Sequence, residues 1–236
     1  MSSQAGKKQQ VEEMFDSISG RYDFLNRFLS LGIDQNWRKR AIKSISEINP
    51  KHILDVATGT ADLAIAASGS IPESTIKGVD ISEGMLSKGR QKIAKKGLTQ
   101  IIHLERGDSE SLPFKDNTFD AVTVGFGVRN FENLEQGLAE IFRVLKPGGK
   151  LAVLEFSKPT VFPVKQAYNF YFKTILPLWG RFISGSNNAY TYLPESVQAF
   201  PDGPDFIAIL NQIGFHYTEQ EKLTFGICSL YTGIKP

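Results

Sequence analysis

The sequence predicts an α/β fold: a doubly wound, mostly parallel sheet of seven strands, with a helical cap before it and a helical insert before its last two strands. Three observations predict this. Short apolar runs alternate with helical stretches through the middle of the chain, joined by connections of a few residues. Residues 11–48 carry helical periodicity throughout. After Pro159 the alternation stops, and an aromatic-rich helical stretch precedes two closing strands. The 236 residues suffice for a full core in a single domain. That domain reads as a cap over 1–48, a ligand-binding core over 49–158 and a closing segment over 159–236.

Within the cap, Val11, Met14, Phe15 and Ile18 recur at three-to-four spacing, as do Phe24, Leu25, Phe28 and Leu29. Gly20 and Gly32 divide it into about three short helices, and Trp37, Ala41, Ile42 and Ile45 line the last. Residues 52–57 are a buried strand feeding a Thr-Gly-Thr turn, and a helix begins over 63–67. A second strand spans 75–80. The helix over 83–96 carries basic residues in its last turns, which suits the helix dipole. Strands follow over 100–106 and 119–125. The helix over 134–145 is stopped by Pro147-Gly148-Gly149, before a strand over 150–156. Residues 161–184 read as helical, broken at Pro163 and Pro177. Short helices over 194–200 and 204–213 lead to strands over 215–223 and 227–232.

Composition narrows the function. The chain is 41% apolar and 22% charged, with a net charge of +2, so it lacks the clustered basic excess of a nucleic-acid binder. Cys228 stands alone, and His52, His103 and His216 are far apart, so no metal-ligand spacing exists. The first ten residues have no apolar signal region, and no run of 18 apolar residues occurs. The expected location is the cytoplasm.

Candidate ligand residues stand at successive strand ends, where doubly wound sheets bind ligands. The first end carries Asp55-Val-Ala-Thr-Gly-Thr-Ala-Asp62. Gly59 allows a sharp turn and close backbone approach, with Thr58 and Thr60 beside it. Asp80 ends the second strand, where a carboxylate accepts from a ribose diol. Dinucleotide and S-adenosyl-L-methionine enzymes share that geometry. Two features favour adenosylmethionine: Asp55 suits its amino acid end and its sulfonium, and the pyrophosphate-turn glycines are missing. Asp108 and Ser109 at the third strand end suit an adenine, and Gly125-Phe126-Gly127 at the fourth leaves room for a methionyl group. Asp55, Asp80 and Asp108 have alternative readings as turn or helix caps.

These residues belong to longer stretches with a recognisable pattern. They are Phe15-Asp-Ser-Ile-Ser-Gly-Arg-Tyr-Asp23, Leu54-Asp-Val-Ala-Thr-Gly-Thr-Ala-Asp62, Asp80-Ile-Ser-Glu-Gly-Met-Leu86, Gly107-Asp-Ser-Glu-Ser-Leu-Pro-Phe114, Gly125-Phe-Gly-Val-Arg-Asn130, Leu154-Glu-Phe-Ser-Lys-Pro159 and Tyr192-Leu-Pro-Glu-Ser196. Through them the chain resembles the ubiquinone/menaquinone biosynthesis C-methyltransferase family, the menaquinone branch in particular. The resemblance implies a class I S-adenosylmethionine methyltransferase, Rossmann-like, with no metal. Its implied reaction is methylation of a ring carbon of a polyprenylated quinol, demethylmenaquinol to menaquinol. C-methylation of the benzoquinol of the ubiquinone pathway is the alternative, and a soluble small-molecule acceptor a remoter one. By the same resemblance Thr60, Asp80, Asp108, Ser109 and Gly125 touch the cofactor, and Ile81 and Met85 in the stretch from Asp80 to Leu86 join the candidate cofactor residues. Ala61 stands where many class I enzymes have a glycine.

For catalysis the candidates are Arg129, Asn130 and Tyr22. Arg129 is too basic to act as a direct base. It would stabilise a developing quinolate or assist a water that takes the proton, or else pair structurally with an acid. Asn130 would hold a ring oxygen. Tyr22 would close over the site or pack half-buried. The aromatic segment with Tyr168, Phe170, Tyr171, Phe172, Leu176, Trp179 and Phe182, plus Lys173 and Arg181, reads as a packed lid helix or as a greasy entrance for a polyprenyl tail. In the second reading it touches the inner face of a membrane peripherally. No nucleic-acid partner is expected, and the sequence leaves homo-oligomer formation open.

Overall fold

The computed structural model describes residues 6–20, 30, 32–171, 174 and 188–236. Tyr22, Phe24, Leu25, Phe28, Leu29, Phe172, Lys173, Leu176, Trp179, Arg181 and Phe182 lie outside the described residues. The chain begins with helices α1 (Lys7–Ile18) and α2 (Asp34–Ser46). The core follows as β1 (His52–Val56), α3 (Asp62–Ser70), β2 (Thr75–Asp80), α4 (Glu83–Lys95), β3 (Ile102–Arg106), β4 (Phe119–Gly125), α5 (Leu134–Val144) and β5 (Leu145–Phe156). The closing part holds α6 (Val164–Phe170), α7 (Asn188–Ala199), α8 (Pro204–Ile213), β6 (His216–Leu223) and β7 (Cys228–Ile234).

Among the described residues, seven strands form one sheet in the order β3-β2-β1-β4-β5-β7-β6. The first five pair in parallel, and β7 runs antiparallel to both β5 and β6. The central strands are buried on both faces, so they read as continuous apolar runs. Alternation along β1 still divides them. Leu54 and Val56 join Val122, Val124, Leu138 and Ile141 in one core. Ile53 joins Trp37, Ile42, Ile45 and Ala64 in the other.

Three of the boundaries that differ from the sequence expectation have a visible cause. Strand β3 starts at Ile102 because the amides of Ile101 and Ile102 donate to Leu98 O at 3.0 Å, closing the preceding turn. Leu145, expected to end α5, instead opens β5, which continues through Pro147-Gly148-Gly149 with a register shift against β4. That excursion is held from outside, since Gly148 N–H donates to Lys235 O at 2.8 Å. Helix α7 begins at Asn188 and carries Pro194 inside it, where a helix start was expected. Interior proline costs about 3 kcal/mol, and buried Ser196, Val197 and Phe200 supply the compensating packing. Among the described residues, no helix is long and apolar enough to cross a membrane.

Candidate active site

The strand order reverses between β1 and β4, and a cleft opens beside their carboxyl ends. That is the place where doubly wound sheets bind small molecules. Of the residues expected there, Gly59, Asp80, Ile81, Met85, Asp108, Ser109, Gly125 and Asn130 line it together. Asp55, Thr58, Thr60 and Arg129 stand behind its wall.

The floor of the cleft is a tightly bent backbone. Ala57, Gly59, Ala61 and Phe126 all have positive φ, between 52° and 65°. For non-glycine residues this conformation costs of order 1 kcal/mol or more each, so the surroundings must impose it. Asp55 is the main constraint. It pairs in register with Thr123 of β4, and its carboxylate accepts from Thr123 Oγ1 at 2.7 Å and Thr58 Oγ1 at 2.6 Å. Burial pushes its pKa up to about 6, opposed by those two hydroxyl bonds. Asp55 therefore shapes the loop from beneath. Asp55, expected at the ligand's amino acid end, does not line the cleft: strand alternation turns its side chain toward Thr123. Thr58 serves the same lock. Thr60 is buried and accepts from Lys92 Nζ at 3.1 Å, and Lys92 also pairs with Asp62 at the start of α3. Gly127 closes the floor: a Cβ there would meet Ala57 Cβ at 2.5 Å.

Asp80 faces the cleft. Its Oδ2 accepts from Gly59 N–H at 2.8 Å and its Oδ1 from Ser82 N–H at 2.9 Å. A carboxylate has about four lone-pair positions, so these amides leave accepting capacity for a ligand hydroxyl. Burial pushes its pKa up to about 6, while the amide bonds from Ser82, Gly59 and Ile81 pull it down. Asp108 also lines the cleft. Its Oδ1 accepts from Glu110 N–H at 2.9 Å and its Oδ2 pairs with Lys8 Nζ at 2.7 Å.

Helix α1 crosses the mouth, which sequence reasoning did not foresee. Val11 and Phe15 line the cleft along with Lys8. Lys7 Nζ donates to Phe131 O at 2.5 Å, and Arg106 pairs with Glu12 at 2.5 Å. Asp16 Oδ1 accepts from Ser82 Oγ at 2.5 Å and Gly84 N–H at 3.0 Å, at the start of α4. The spacing of Val11 and Phe15 marks an apolar face, but nothing local says which wall it meets. Glu110 is also new: its Oε1 accepts from the amides of Glu132 and Asn133 at 2.8 and 3.0 Å. The described lining thus carries Asp80, Asp108, Glu110 and Glu132 against Lys8. Such a rim repels a pyrophosphate and suits a cationic ligand.

At the inner end, a 3₁₀ turn spans Val128–Asn130. Arg129 turns away from the cleft. Its Nη1 donates to Glu155 Oε1 at 2.7 Å and to Phe126 O at 2.5 Å, and its Nε donates to Ser196 Oγ at 3.3 Å. Its guanidinium lies 5.6 Å from the Phe156 ring. Glu155 is fully buried, and burial raises its pKa against the pull of Arg129. The rim position expected for Arg129 is therefore replaced by the paired alternative. Its partner at the end of β5 is a residue whose role a strand pattern cannot reveal. Asn130 stays in the cleft, its Oδ1 accepting from Tyr192 OH at 3.0 Å. Among the described residues no His, Cys, Asp and Glu cluster could hold a metal ion.

Known proteins resemble this chain along nearly its whole length. The chain is 48% identical over 229 residues to the demethylmenaquinone methyltransferase of Bacteroides fragilis, covering 97% of this chain and 94% of that protein. It is 45% identical over 230 residues to the ubiquinone/menaquinone biosynthesis C-methyltransferase UbiE of Geotalea daltonii, covering 97% of each. Among solved structures, the [4+2]-cyclase SpnF aligns with a TM-score of 0.72 at 17% identity, covering 98% of this chain and 97% of that one. A SAM-dependent methyltransferase from Aquifex aeolicus aligns with a TM-score of 0.56 at 19% identity, over 83% and 89% of the two chains. These likenesses show the class I methyltransferase fold, and the cyclase shows that one fold hosts unlike chemistries. The family model for the ubiE/COQ5 methyltransferases matches residues 3–235, and the chain belongs to that family.

Proposed function

We propose that this protein transfers a methyl group from S-adenosylmethionine to a ring carbon of a polyprenylated quinol, converting demethylmenaquinol to menaquinol. The observation that carries this is an acid-rimmed cleft at the strand ends that Asn130 lines. Asp80 would hold the ribose diol, Asp108 and Ser109 the adenine side, and Gly59 with the small Gly125 the amino acid end. S-adenosylmethionine supplies the electrophilic methyl when bound. The chain's own residues position the acceptor, exclude water and hold its ionised oxygen. Positioning alone contributes up to about 7–11 kcal/mol in favourable cases. Charge is neutralised in the transfer, so the apolar walls built by Val11, Phe15, Phe126 and Phe131 favour it.

The name of the Geotalea relative supports a second acceptor, the benzoquinol of ubiquinone synthesis. Labelled-methyl transfer to reduced demethylmenaquinone beside the benzoquinol acceptor separates the two, and transfer to neither overturns the proposal. The polyprenyl tail would leave along the segment after Pro159. There Val161, Phe162 and Phe170 are exposed, at 58%, 76% and 61%, and exposed Lys165 stands between them. Aromatic and basic residues together suit peripheral contact with a membrane surface. Co-sedimentation with anionic liposomes is expected, and its absence with and without quinone counts against that contact.

A further inference from the structure

We propose that Tyr192 is a positioning residue for this reaction: its hydroxyl, donating to Asn130 Oδ1 at 3.0 Å, turns the Asn130 amide so that its NH₂ faces the cleft as a donor to the acceptor's ionised ring oxygen. The inference rests on the quinol reading of the same site and deepens it. A carboxamide has one accepting end and one donating end. Asn130 lines the cleft. With its oxygen held on the α7 side, its nitrogen is the end left for a ligand. A donor fixed in advance at the place where negative charge resides costs no reorganisation during reaction.

The grip on Asn130 belongs to a wider one. Tyr192 and Ser196 are four residues apart on α7 and share one face of that helix. Ser196 accepts from Arg129 Nε at 3.3 Å, so α7 holds both polar side chains of the turn. Val197 and Phe200 bury the same helix against the core, at 1% and 3% exposure. Arg129 itself is tied to Glu155, which prevents it from competing for the Asn130 amide. The charges acting on the Tyr192 phenol are Arg129, which lowers its pKa, and Glu155, which raises it; burial dominates and pushes it up. From α1, Lys7 reaches the carbonyls of Arg129 and Phe131 at the same turn. The phenol therefore stays protonated and acts as a donor.

Tyr192→Phe removes one hydroxyl and keeps the ring. At neutral pH, kcat for methyl transfer to reduced demethylmenaquinone should fall about 10-fold or more, the usual scale for a hydrogen bond to a charged group. Adenosylmethionine affinity by calorimetry should hold. The acid limb of the kcat profile should move to higher pH, because the bound acceptor then ionises without its donor. Asn130→Ala should give the same displacement, and the double variant no more than either alone. An unmoved pH profile in Tyr192→Phe, or additive losses, overturns the proposal. A second measurement needs no turnover. The ¹⁵N side-chain amide signal of Asn130, identified by its loss in Asn130→Ala, should shift in Tyr192→Phe. If the wild-type protein methylates neither quinol, the functional reading fails, and the amide signal still decides the Tyr192–Asn130 contact. An unshifted signal refutes that contact and the proposal with it.

Discussion

Replacing Arg129 by alanine should unfold this protein more readily before it says anything about chemistry. Arg129 is only 7% exposed, and its partner Glu155 is not exposed at all. Removing one member of a buried pair leaves the other uncompensated, at about 3–5 kcal/mol. For a domain of this size each kcal/mol lowers the melting temperature by about 2–4 °C, so Arg129→Ala should melt roughly 6–20 °C lower. The loss should depend on pH with a definite sign. Without Arg129, the folded-state pKa of Glu155 stands still further above its unfolded value. A group raised in this way favours the fold when protonated, so stability declines as pH rises above the unfolded pKa toward the folded one. The melting deficit should be smaller at pH 5 than at pH 8. Adding Glu155→Gln to Arg129→Ala should restore much of the loss, because a neutral amide replaces the stranded carboxylate. Calorimetric melting of the two single variants and the double variant at both pH values tests this. A deficit below about 1 kcal/mol, or one independent of pH and of Glu155, would refute the buried-pair argument.

Other expectations concern the cleft. Asp80→Asn should weaken adenosylmethionine binding by about 10- to 100-fold in calorimetry, as charge-assisted bonds to the diol are lost. In the wild type that affinity should fall as pH drops through about 6, where Asp80 takes up a proton. Gly127→Ala should cost about 1–3 kcal/mol, because its Cβ meets Ala57 at 2.5 Å. It should also lower cofactor affinity through the displaced loop, measured by melting and titration. Asp16→Ala removes the acceptor of Ser82 Oγ and Gly84 N–H. It should cost about 1 kcal/mol and speed amide hydrogen exchange in α1 while leaving the sheet protected.

The sheet was legible because its signals are local. β1, β4 and β5 carry apolar runs, β2 and β3 place apolar residues among polar ones, and the acids at the strand ends fall where the topology puts ligands. Pro194 misled because a proline's usual place at a helix start yields to the tertiary contacts of Ser196 and Val197. Lys146 to Gly149 misled because their bulge depends on a partner, Lys235, almost ninety residues away. Gly59, Asp80, Asp108 and Gly125, expected at successive strand ends, do line one cleft. Asp55 and Arg129 were singled out correctly as unusual, yet their direction was not legible. An acid at a strand end meets either a ligand or a hydroxyl on the next strand, and only the β1–β4 register decides for Thr123. The strap of α1 and the grip of Tyr192 join segments more than sixty residues apart, a distance over which periodicity says nothing.

The acid rim has a bearing on turnover as well as on recognition. Methyl transfer from a sulfonium to an anion leaves the spent thioether one positive charge poorer than the ligand that arrived. Asp80, Asp108, Glu110 and Glu132 outnumber Lys8 around the mouth, so on the proposed reading their field would hold the cationic donor more tightly than its less positive product. Fuel and ash would then differ at this cleft partly by charge. Added salt, by screening that field, should narrow the difference in affinity between the two.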